Sequence, residues 1–444
     1  MTAFKIHIIH VGNMNNKGTQ ALFKSDVYAI NDTVKNEVLI SVSTTDIEGV
    51  KRLNLPLNAV LSPVVAIPYE KADQLAKKFG CGRGSLRYKG FAVAMLVYMF
   101  VEVLLSVFSI VFVKLGLKAF YRREVMEHVK DCDLVISHSD ESFKESASLL
   151  PLNPYWVMTW WSMLIARTWE ILVAKSFGKP VVMFPNSVGP FRTWIGRCLS
   201  KLSLGNCDYV LIRDSISYEI VNKLGIRSCR ILTFDTALLF NPPQNVLDDF
   251  PRPLMGVSPG IYSHSLSREE VRNYILAHAR ALDAVIEKYG FLVVFLPHYI
   301  SGFQYDDLEM CKFILCKMKN KNRVKIVNTS TVEEFKLFLD QMDMIVSSKM
   351  HPAVLAASGC VPVLCIAYDH KQTGFFERLD MVDCTIDIRR VSYERLLSKI
   401  DQVWNQNDRL RALLKNRIPA QQKDIKEAIR QAIAPYVERK KIIS

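Results

Sequence analysis

Short apolar runs alternate with longer stretches of helical periodicity along most of this chain. Such alternation is typical of parallel sheets joined by crossover helices, so it restricts the chain to the α/β class. In the first half the runs predict strands at 4–11, 38–43, 132–137, 180–184, 208–212 and 229–233. In the second half they predict strands at 254–258, 291–296, 324–327, 343–347 and 362–367. We therefore predict two α/β domains that face each other across a cleft.

A proline-rich stretch at 241–253 separates the two sets of strands and is typical of an interdomain linker. The predicted N-terminal domain spans 1–245, and the predicted C-terminal domain spans 254–390. Residues 391–444 are predicted to form C-terminal helices. A length of 444 residues agrees with this division, because a single hydrophobic core usually serves a shorter chain.

The formal net charge of +13 points to anionic partners, namely phosphorylated metabolites, an acidic membrane face or nucleic acid. Nucleic acid is the least supported, because the chain shows no zinc-finger spacing and no basic region with interleaved aromatic residues. The ten cysteines are scattered without a C-x-x-C pair, which favours a reduced, cytosolic setting and gives no metal site. The opening run 4–11 is too short for a signal sequence and is interpreted as a strand.

One segment interrupts the alternation. Residues 91–113 carry a single charge, Glu102, and basic residues flank them on both sides. A helix of this length, at ~1.5 Å per residue, is long enough to cross a bilayer. A crossing would, however, put the strands before and after it on opposite sides of the membrane. We therefore predict a hydrophobic helical insertion at about 85–123, an amphipathic or hairpin element on the membrane surface.

A group of tryptophans favours the same membrane interpretation, because indole rings are enriched at membrane interfaces. The group consists of Trp156, Trp160, Trp161 and Trp169. Three alternatives for the apolar segment remain open: a buried helix pair, an oligomer contact and a true span. The expected localisation is cytoplasmic, with peripheral binding to the cytoplasmic membrane face.

Several polar side chains follow strands of the second domain. Lys349 and His351 lie between a strand and a helix, and His298 and Lys371 follow two other strands. In open α/β sheets ligands bind at the carboxyl ends of the strands, and helix N-termini favour anions. An imidazole there can also exchange protons near neutral pH. The pattern predicts an anionic substrate, a catalytic role for His351, and anion contacts from the other three residues.

The first domain offers four further candidates. Asn16 and Gly18 lie in the turn after the first strand, where glycine lets a ligand approach the backbone; a plain turn with an Asn cap is the alternative. This turn is neither a G-x-G-x-x-G motif nor a P-loop, so it predicts no nucleotide site. Arg213 follows a strand, either as an anion clamp or as a structural residue. Asp235 ends the next strand, where its carboxylate can accept a hydrogen bond from a sugar-like acceptor.

A series of motifs stands in a fixed order along the chain. The motifs are Asn16-Lys-Gly-Thr-Gln-Ala-Leu, Gly178-Lys-Pro-Val-Val-Met-Phe-Pro-Asn-Ser-Val-Gly-Pro-Phe191, Arg213-Asp-Ser-Ile-Ser217, Leu224-Gly225 with Asp235, Pro297-His298, and Ser348-Lys-Met-His-Pro-Ala through Ala367-Tyr-Asp-His-Lys-Gln-Thr-Gly374-Phe. Together they resemble the polysaccharide pyruvyl transferase family over roughly residues 8–380, omitting 66–125. The resemblance implies two Rossmann-like domains in a double-Rossmann, GT-B-like fold.

The resemblance also implies a reaction. An enolpyruvyl unit passes from phosphoenolpyruvate to two sugar hydroxyls of a cell-surface polysaccharide or a lipid-linked glycan precursor, forming a pyruvate ketal. By position, His351 resembles the family's essential histidine, and Lys349 and Arg213 resemble residues that hold phosphoenolpyruvate. We assign His298 and Lys371 to the same donor side, and the acceptor side to Asn16, Gly18 and Asp235. Phosphoenolpyruvate is expected as a co-substrate, with no other cofactor and no metal.

Two positions depart from the family pattern. The family commonly has arginine where this chain has Lys349, and lysine keeps the charge but lacks the two-pronged fork. The glycine-rich turn usual after the strand at 132–137 is replaced by a loop beginning at His138, which puts the acceptor in question. Two alternatives therefore stay open. One is a nucleotide-sugar-dependent glycosyltransferase of the same layout, and the other is a non-catalytic, membrane-associated scaffold in glycan assembly.

Overall fold

Two parallel β-sheets organise the chain, one in each half. The first has the order β3-β2-β1-β4-β5-β6-β7 and contains β1 (Phe4–Val11), β2 (Val38–Thr44), β3 (Ala59–Leu61), β4 (Leu134–Ser137), β5 (Val181–Asn186), β6 (Tyr209–Ile212) and β7 (Cys229–Leu232). The second has the order β10-β9-β8-β11-β12-β13 and contains β8 (Leu254–Ser258), β9 (Leu292–Phe295), β10 (Val324–Ile326), β11 (Met344–Ser347), β12 (Val363–Ala367) and β13 (Thr385–Asp387). The predicted two-domain α/β architecture is confirmed.

The structure, a computed structural model, describes residues 3–443 except 35–36, 67–70, 73–74, 77, 81–84, 142, 146–153, 243–249, 262–265 and 301–305. Its helices in the first half are α1 (Lys17–Val34), α2 (Ile47–Lys51), α3 (Leu86–Lys114), α4 (Arg123–Asp131), α5 (Pro154–Ser176), α6 (Trp194–Gly205) and α7 (Ser215–Leu224). In the second half they are α8 (Arg268–Tyr289), α9 (Asp307–Lys317), α10 (Val332–Gln341), α11 (Met350–Ser358), α12 (His370–Arg378), α13 (Tyr393–Asn405) and α14 (Asn407–Ile443). Most of the predicted linker lies outside the described residues.

Local sequence signals explain where the crossover helices begin and end. Ser267 and Glu270 form a capping box at the start of α8, in which each side chain binds the other residue's backbone N–H. Gly290 ends that helix with φ +74°, a left-handed conformation that favours glycine. Asp214 caps α7 by accepting a hydrogen bond from the backbone N–H of Ser217 at 2.7 Å. These caps fix the loops that lead from the strand ends into the cleft.

The direction of winding reverses at the centre of each sheet. In the first sheet it reverses between β1 and β4, and in the second between β8 and β11. Loops that leave strands at such a point diverge and open a crevice at the carboxyl edge of the sheet, where α/β proteins bind ligands. Lys349, in the loop that leaves β11, and His351, in the first turn of α11, therefore lie at the reversal point of the second sheet.

The last helix, α14, returns to the first domain. Lys440 Nζ donates to the carbonyl oxygen of Ala3 at 2.6 Å, and Thr233 Oγ1 donates to Asp424 Oδ2 at 3.0 Å. The helix before it, α13, stays on the second domain, where Lys288 and Asp401 form an ion pair at 2.9 Å. The predicted C-terminal helices therefore hold the two domains together rather than forming a separate unit.

The predicted hydrophobic insertion is one continuous helix, α3, so its hairpin form is wrong. By length and composition, Lys89–Lys114 is the one stretch among the described residues that is apolar enough to be a candidate membrane span. Its apolar side chains are largely exposed, whereas Glu102, Ser106 and Ser109 are buried. The helix is amphipathic, but it turns its polar side toward the protein and its apolar side toward solvent, the opposite of an ordinary surface helix.

The tryptophans on α5 make contacts inside the protein. Trp161 Nε1 donates to Glu145 Oε1 at 2.6 Å, and Trp169 Nε1 donates to Ser106 Oγ on α3 at 2.6 Å. Lys144 Nζ lies 5.0 Å from the centroid of the Trp160 ring. The side chain of Trp156 lies outside the described part of the helix. The three described indoles pack α5 against its neighbours, so the membrane role predicted for them stays a prediction.

Because two buried histidines are neutral in the folded protein, we expect the fold to lose stability markedly in acid. Burial lowers the pKa of His278 to about 4 and, together with His128, that of His7 to about 3, from an unfolded value of 6.5. Each therefore stabilises the fold above pH 6.5, and this stabilisation, on the order of 3 kcal/mol per group, is lost as the pH falls toward the folded-state pKa. In urea unfolding, His278→Gln should flatten the decline of the unfolding free energy between pH 6.5 and about 4. A decline in His278→Gln as steep as that of the wild type would contradict this assignment.

Candidate active site in the interdomain cleft

The turn between β11 and α11 is held rigidly by hydrogen bonds. Ser347 Oγ accepts from the backbone N–H of Lys349 at 3.1 Å and donates to the carbonyl oxygen of the same residue at 2.8 Å. Ser348 Oγ and the Tyr274 hydroxyl are 2.5 Å apart, and Gln372 Nε2 donates to the Ser348 carbonyl oxygen at 3.2 Å. These bonds fix the backbone from which the side chains of Lys349 and His351 enter the cleft.

His351 lies in the first turn of α11 and is 8% exposed. Its Nε2 has no hydrogen-bond partner among the described residues. Burial lowers the pKa of His351 to about 4; the Asp235 carboxylate opposes this shift, and the cations Arg213 and Lys371 add to it. The imidazole is therefore neutral near pH 7 in the absence of ligand, and a neutral imidazole can accept a proton.

The first domain contacts His351 directly through Gly18. A Cβ atom added at Gly18 would lie 2.2 Å from His351 Nδ1, so only glycine permits this approach. Asn16 Oδ1 accepts from the Gly18 backbone N–H at 2.9 Å, and Asn16 pairs with Tyr299 of the second domain in an antiparallel bridge. The predicted turn residues therefore lie at the cleft, where they join the two domains.

His298 lies beside His351, with ring centroids 6.0 Å apart and planes inclined by 21°. It is 3% exposed, and neither ring nitrogen has a hydrogen-bond partner among the described residues. Burial, followed by the nearby His351, Lys17, Lys349 and Lys371, lowers the pKa of His298 well below its usual value. The ring is thus a neutral hydrogen-bonding group, with one donor and one acceptor nitrogen facing the cleft.

Three lysines surround the two histidines. Lys349 Nζ lies 3.2 Å from Asp307 Oδ1, and Lys371 pairs with Glu141 of the first domain. Lys17 Nζ donates to the carbonyl oxygen of Pro297 at 3.1 Å, and burial lowers its pKa. Lys17 was not among the predicted site residues, although it stands between Asn16 and Gly18 and follows the same strand. Its position across the cleft is set by the domain contact, which no local pattern shows.

Arg213 is buried on the opposite wall, with 1% exposure. Its Nη1 donates to Asp235 Oδ2 at 2.8 Å and its Nε to Ser187 Oγ at 2.9 Å, while Nη2 has no hydrogen-bond partner among the described residues. The second oxygen of Asp235 accepts from the backbone N–H of Ala237 at 2.9 Å. Both oxygens of Asp235 therefore have partners in the protein. The acceptor role predicted for Asp235 stays a prediction, beside an observed role in holding Arg213.

The loop that departs from the family pattern is anchored to α1. His138 Nδ1 lies 2.8 Å from Asp26 Oδ2, and Ser139 donates to the same carboxylate from its backbone N–H at 2.9 Å and from Oγ at 2.8 Å. Three residues after His138, Glu141 reaches Lys371 across the cleft. The altered loop thus places a carboxylate in the cleft that the sequence analysis did not single out.

A second polar pocket lies at the carboxyl edge of the first sheet. His10, Arg167 and Glu170 line it together with Ser43 and with Gly12, Thr44 and Thr45. His10 Nε2 lies 3.6 Å from Glu170 Oε2, and His10 has the uncommon φ of +68°. Burial raises the pKa of Glu170 to about 7. The pocket is on the side of the cleft where the acceptor was predicted.

The cleft as a whole offers buried hydrogen-bond donors, cations and two neutral imidazoles that can accept a proton. Buried polar atoms without partners are costly unless a ligand or water satisfies them. Here they are the side-chain nitrogens of His298, His351 and Arg213, and lysines stand around them. Such a site suits a small, multiply charged anion. Within the described residues, no group of three His, Cys, Asp or Glu side chains could hold a metal ion.

Comparisons with known proteins agree with this geometry. The sequence profile of the polysaccharide pyruvyl transferase family matches residues 28–370, which is most of the chain. The amylovoran biosynthesis protein AmsJ of Erwinia amylovora is 22% identical over 288 residues, which make up 61% of this chain and 64% of AmsJ. The match thus spans less than two thirds of that relative.

Solved structures show what the fold is similar to. The UDP-GlcNAc 2-epimerase of Neisseria meningitidis is 10% identical, with a TM-score of 0.55 over 97% of this chain and 100% of that chain. UGT73P12 of Glycyrrhiza uralensis is 11% identical, with a TM-score of 0.53 over 99% of this chain and 97% of that chain. At such identities the likeness concerns the fold alone, and it confirms the double-Rossmann, GT-B-like arrangement. With the family profile extending from α1 to the beginning of α12, the chain belongs to the polysaccharide pyruvyl transferase family.

Proposed function

We propose that this protein transfers an enolpyruvyl unit from phosphoenolpyruvate to two hydroxyls of a sugar, forming a pyruvate ketal in polysaccharide synthesis. One observation carries the proposal. The neutral His351 stands among cations and unpartnered buried donors, at the contact between the two domains. Family membership supports the class of reaction. The donor, the ketal product and the roles of His351, Lys349 and Arg213 are what the family resemblance implies, and the geometry of the cleft supports them.

Phosphoenolpyruvate carries a phosphate and a carboxylate, so it needs cations on more than one side. Lys349 and Lys371 come from the second domain, and Lys17 and Arg213 come from the first. Three of these four cations already have a carboxylate partner, namely Asp307, Glu141 or Asp235. The partners keep the lysines and the guanidinium in position before the donor arrives, which lowers the cost of ordering them on binding.

The proposed reaction balances with one proton acceptor. A proton from solvent adds to the methylene carbon of the donor, and the first sugar hydroxyl attacks the adjacent carbon while its proton passes to His351, which returns it to solvent. The phosphate then leaves with the electrons of its C–O bond. The second hydroxyl attacks the same carbon and closes the ketal, and its proton goes to the departing phosphate. Neutral His351 suits the first transfer, because a base must be unprotonated before it acts.

The acceptor is proposed to lie on the first-domain side, near Asn16 and Gly18 and the His10–Glu170 pocket. A cell-surface polysaccharide or a lipid-linked glycan precursor fits the family and the amylovoran-related relative. A lipid-linked precursor would be met at the cytoplasmic membrane face. Cytoplasmic localisation with peripheral membrane binding therefore stays part of this proposal.

Donor binding can be tested before the acceptor is known. Phosphoenolpyruvate that binds only the folded state should raise the apparent stability, by ~2.7 kcal/mol at a hundredfold excess over its dissociation constant. We expect a shift in thermal unfolding with millimolar phosphoenolpyruvate that Lys349→Ala loses and that Lys51→Ala keeps. Lys51 is the matched control because it is a surface lysine of α2, 56% exposed, whose Nζ lies 3.4 Å from Glu48 Oε1.

The opposite results also have a definite meaning. Absence of a shift in the wild type would contradict phosphoenolpyruvate as the donor. A shift with a nucleotide sugar instead would favour the glycosyltransferase alternative, and absence of a shift with either would favour the scaffold alternative. A shift retained by Lys349→Ala would remove that lysine from the donor site while leaving the donor itself in place.

A further inference from the structure

Helix α3 presents a continuous apolar face to solvent. Eight large side chains on it are between 37% and 61% exposed: Val97, Phe100, Val101, Leu104, Val107, Phe108, Val111 and Phe112. A surface helix ordinarily buries its apolar stripe and exposes its polar one. Contiguous exposed apolar surface of this extent marks a place of interaction with another molecule or a membrane.

The opposite face explains why α3 is oriented this way. Glu102, 1% exposed, accepts from Lys71 Nζ at 3.1 Å, from Arg122 Nη2 at 3.0 Å, and from the Tyr121 hydroxyl at 3.0 Å. Its other oxygen accepts from the backbone N–H of Ala66 at 3.1 Å. Turning Glu102 outward would break these four hydrogen bonds and leave the partly buried Lys71 and Arg122 without their carboxylate partner, which would destabilise the fold. The ion cluster therefore holds the apolar face outward.

The first sheet excludes a membrane crossing by α3. Strand β1 pairs with β2, which precedes the helix, and also with β4, which follows it. Both ends of α3 must therefore be on the side of the membrane that holds this sheet. A single helix that crossed the bilayer would separate strands that share backbone hydrogen bonds.

Two candidates remain for what covers the apolar face of α3, a second copy of the chain and a membrane surface. The charges at the two ends of the helix distinguish them. The exposed residues there are Arg87 and Lys89 at the N-terminal end and Lys114 and Lys118 at the C-terminal end. A second copy of the chain, packed face to face in either direction, would bring basic ends against basic ends. Anionic lipid headgroups would instead meet these four cations with opposite charge. Charge complementarity therefore favours an anionic membrane over a second copy.

We propose that α3 is an in-plane anchor, with its outward face in a single leaflet of an anionic membrane and its basic ends on the headgroups. An amphipathic helix in this position sinks its apolar face to the boundary of headgroups and acyl chains. The reversed arrangement of α3 supplies that face without exposing Glu102 to lipid. This inference rests on the membrane-surface part of the proposed function and is independent of the transfer reaction.

The test is flotation of the purified full chain with two kinds of vesicle. One kind contains equimolar phosphatidylglycerol and phosphatidylcholine, and the other contains phosphatidylcholine alone. We expect the chain to float with the anionic vesicles and largely to remain in solution with the neutral ones. Removing the charges of Lys114 and Lys118 by Lys→Gln should weaken binding roughly fivefold for each, the equivalent of ~1 kcal/mol per basic residue.

A double substitution on α3 and a control substitution on α6 test the apolar face. Leu104→Glu with Phe108→Glu should abolish flotation, because both side chains lie in the centre of the outward face, whereas Leu202→Glu on α6 should not. Leu202 is the matched control, an exposed leucine at 45% outside α3. Failure of the wild type to float with anionic vesicles would overturn the proposal. So would a dimer in light scattering that the Leu104→Glu, Phe108→Glu variant converts to monomers, since a second copy would then cover the face.

The flotation result and the test of the proposed donor can be told apart. Phosphoenolpyruvate should shift the thermal unfolding of the Leu104→Glu, Phe108→Glu variant as it shifts that of the wild type. Flotation without a donor shift would support the anchor and contradict the proposed donor. A donor-induced thermal shift without flotation would support the proposed donor and contradict the anchor.

Discussion

His351→Gln is expected to lower phosphate release from phosphoenolpyruvate by ~10²–10⁴-fold, the usual contribution of a positioned acid–base group. Glutamine has a comparable size and can hydrogen-bond, but it cannot accept the proton of the attacking hydroxyl. His351 is buried and its Nε2 has no hydrogen-bond partner among the described residues, so the substitution removes no hydrogen bond of that atom there. The measurement is phosphate release by the purified protein supplied with a lipid-linked glycan extract.

A matched histidine separates chemistry from folding. His128→Gln changes a half-exposed histidine of α4, whose Nδ1 lies 2.9 Å from the Glu124 carbonyl oxygen, and should retain wild-type turnover. The donor-induced thermal shift should persist in His351→Gln, because the cations that hold phosphoenolpyruvate are unchanged. Wild-type turnover in His351→Gln would remove the histidine from the reaction.

Gly18→Ala is expected to have the second largest effect, although the substitution adds a single methyl group. The added Cβ would lie 2.2 Å from Nδ1 and 2.4 Å from Cγ of His351, so the imidazole or the whole of α1 must move. Overpacking of this kind costs about 1–3 kcal/mol of stability. A displacement of the reacting group by ~1 Å can cost ~10²-fold in rate. We therefore expect a modest fall in melting temperature together with a large fall in turnover.

The control for this variant is another glycine-to-alanine change with room for the methyl group. At Gly205, the last residue of α6, the added Cβ would lie 3.9 Å from Ile226 Cγ2, which is ordinary van der Waals contact. Gly205→Ala should leave turnover unchanged and stability equal or higher, because alanine favours a helix. If Gly18→Ala kept full turnover, the close approach of the two domains at His351 would not be needed for the reaction.

Much of the fold could be predicted because each central strand is a buried apolar run. The run 4–11 predicts β1 with its bounds, and 254–258 predicts β8. Two strands were missed, β3 (Ala59–Leu61) and β13 (Thr385–Asp387). Both have three residues and lie at sheet edges, and neither has the three β-branched apolar residues that the equally short β10 reaches with Val327, so neither gives a run that stands out from a loop. Their existence depends on neighbouring strands, which local sequence does not contain.

The candidate site could be predicted in part, because strands of one parallel sheet end at a common edge. That rule leads to Lys349, His351, His298 and Lys371, and the structure gathers all four. It does not reveal pairings that form only when two domains meet. The pair of Glu141 with Lys371 joins residues 230 positions apart, and Asp235 turned out to be engaged by Arg213.

The orientation of α3 was beyond the sequence for a related reason. Hydropathy and length describe the composition of a segment but not which side of the helix meets the protein. The buried side is set by Glu102, whose partners Lys71 and Arg122 lie in flanking segments. The sequence alone does not show those partners. From the sequence, a central glutamate therefore indicates only that inserting the helix across the bilayer would be costly.

The contact between Gly18 and His351 also bears on how turnover is timed. The histidine belongs to the second domain and the surface against which it rests belongs to the first, so the cleft is complete only while the two domains are closed together. In the proposed reaction, a sugar chain that reached His351 through this contact would have to part it. Such a reaction would include a hinge opening in each cycle, and motions of this kind commonly set the rate of product release. Turnover limited in this way would slow with solvent viscosity, and the chemical step would be hidden behind it.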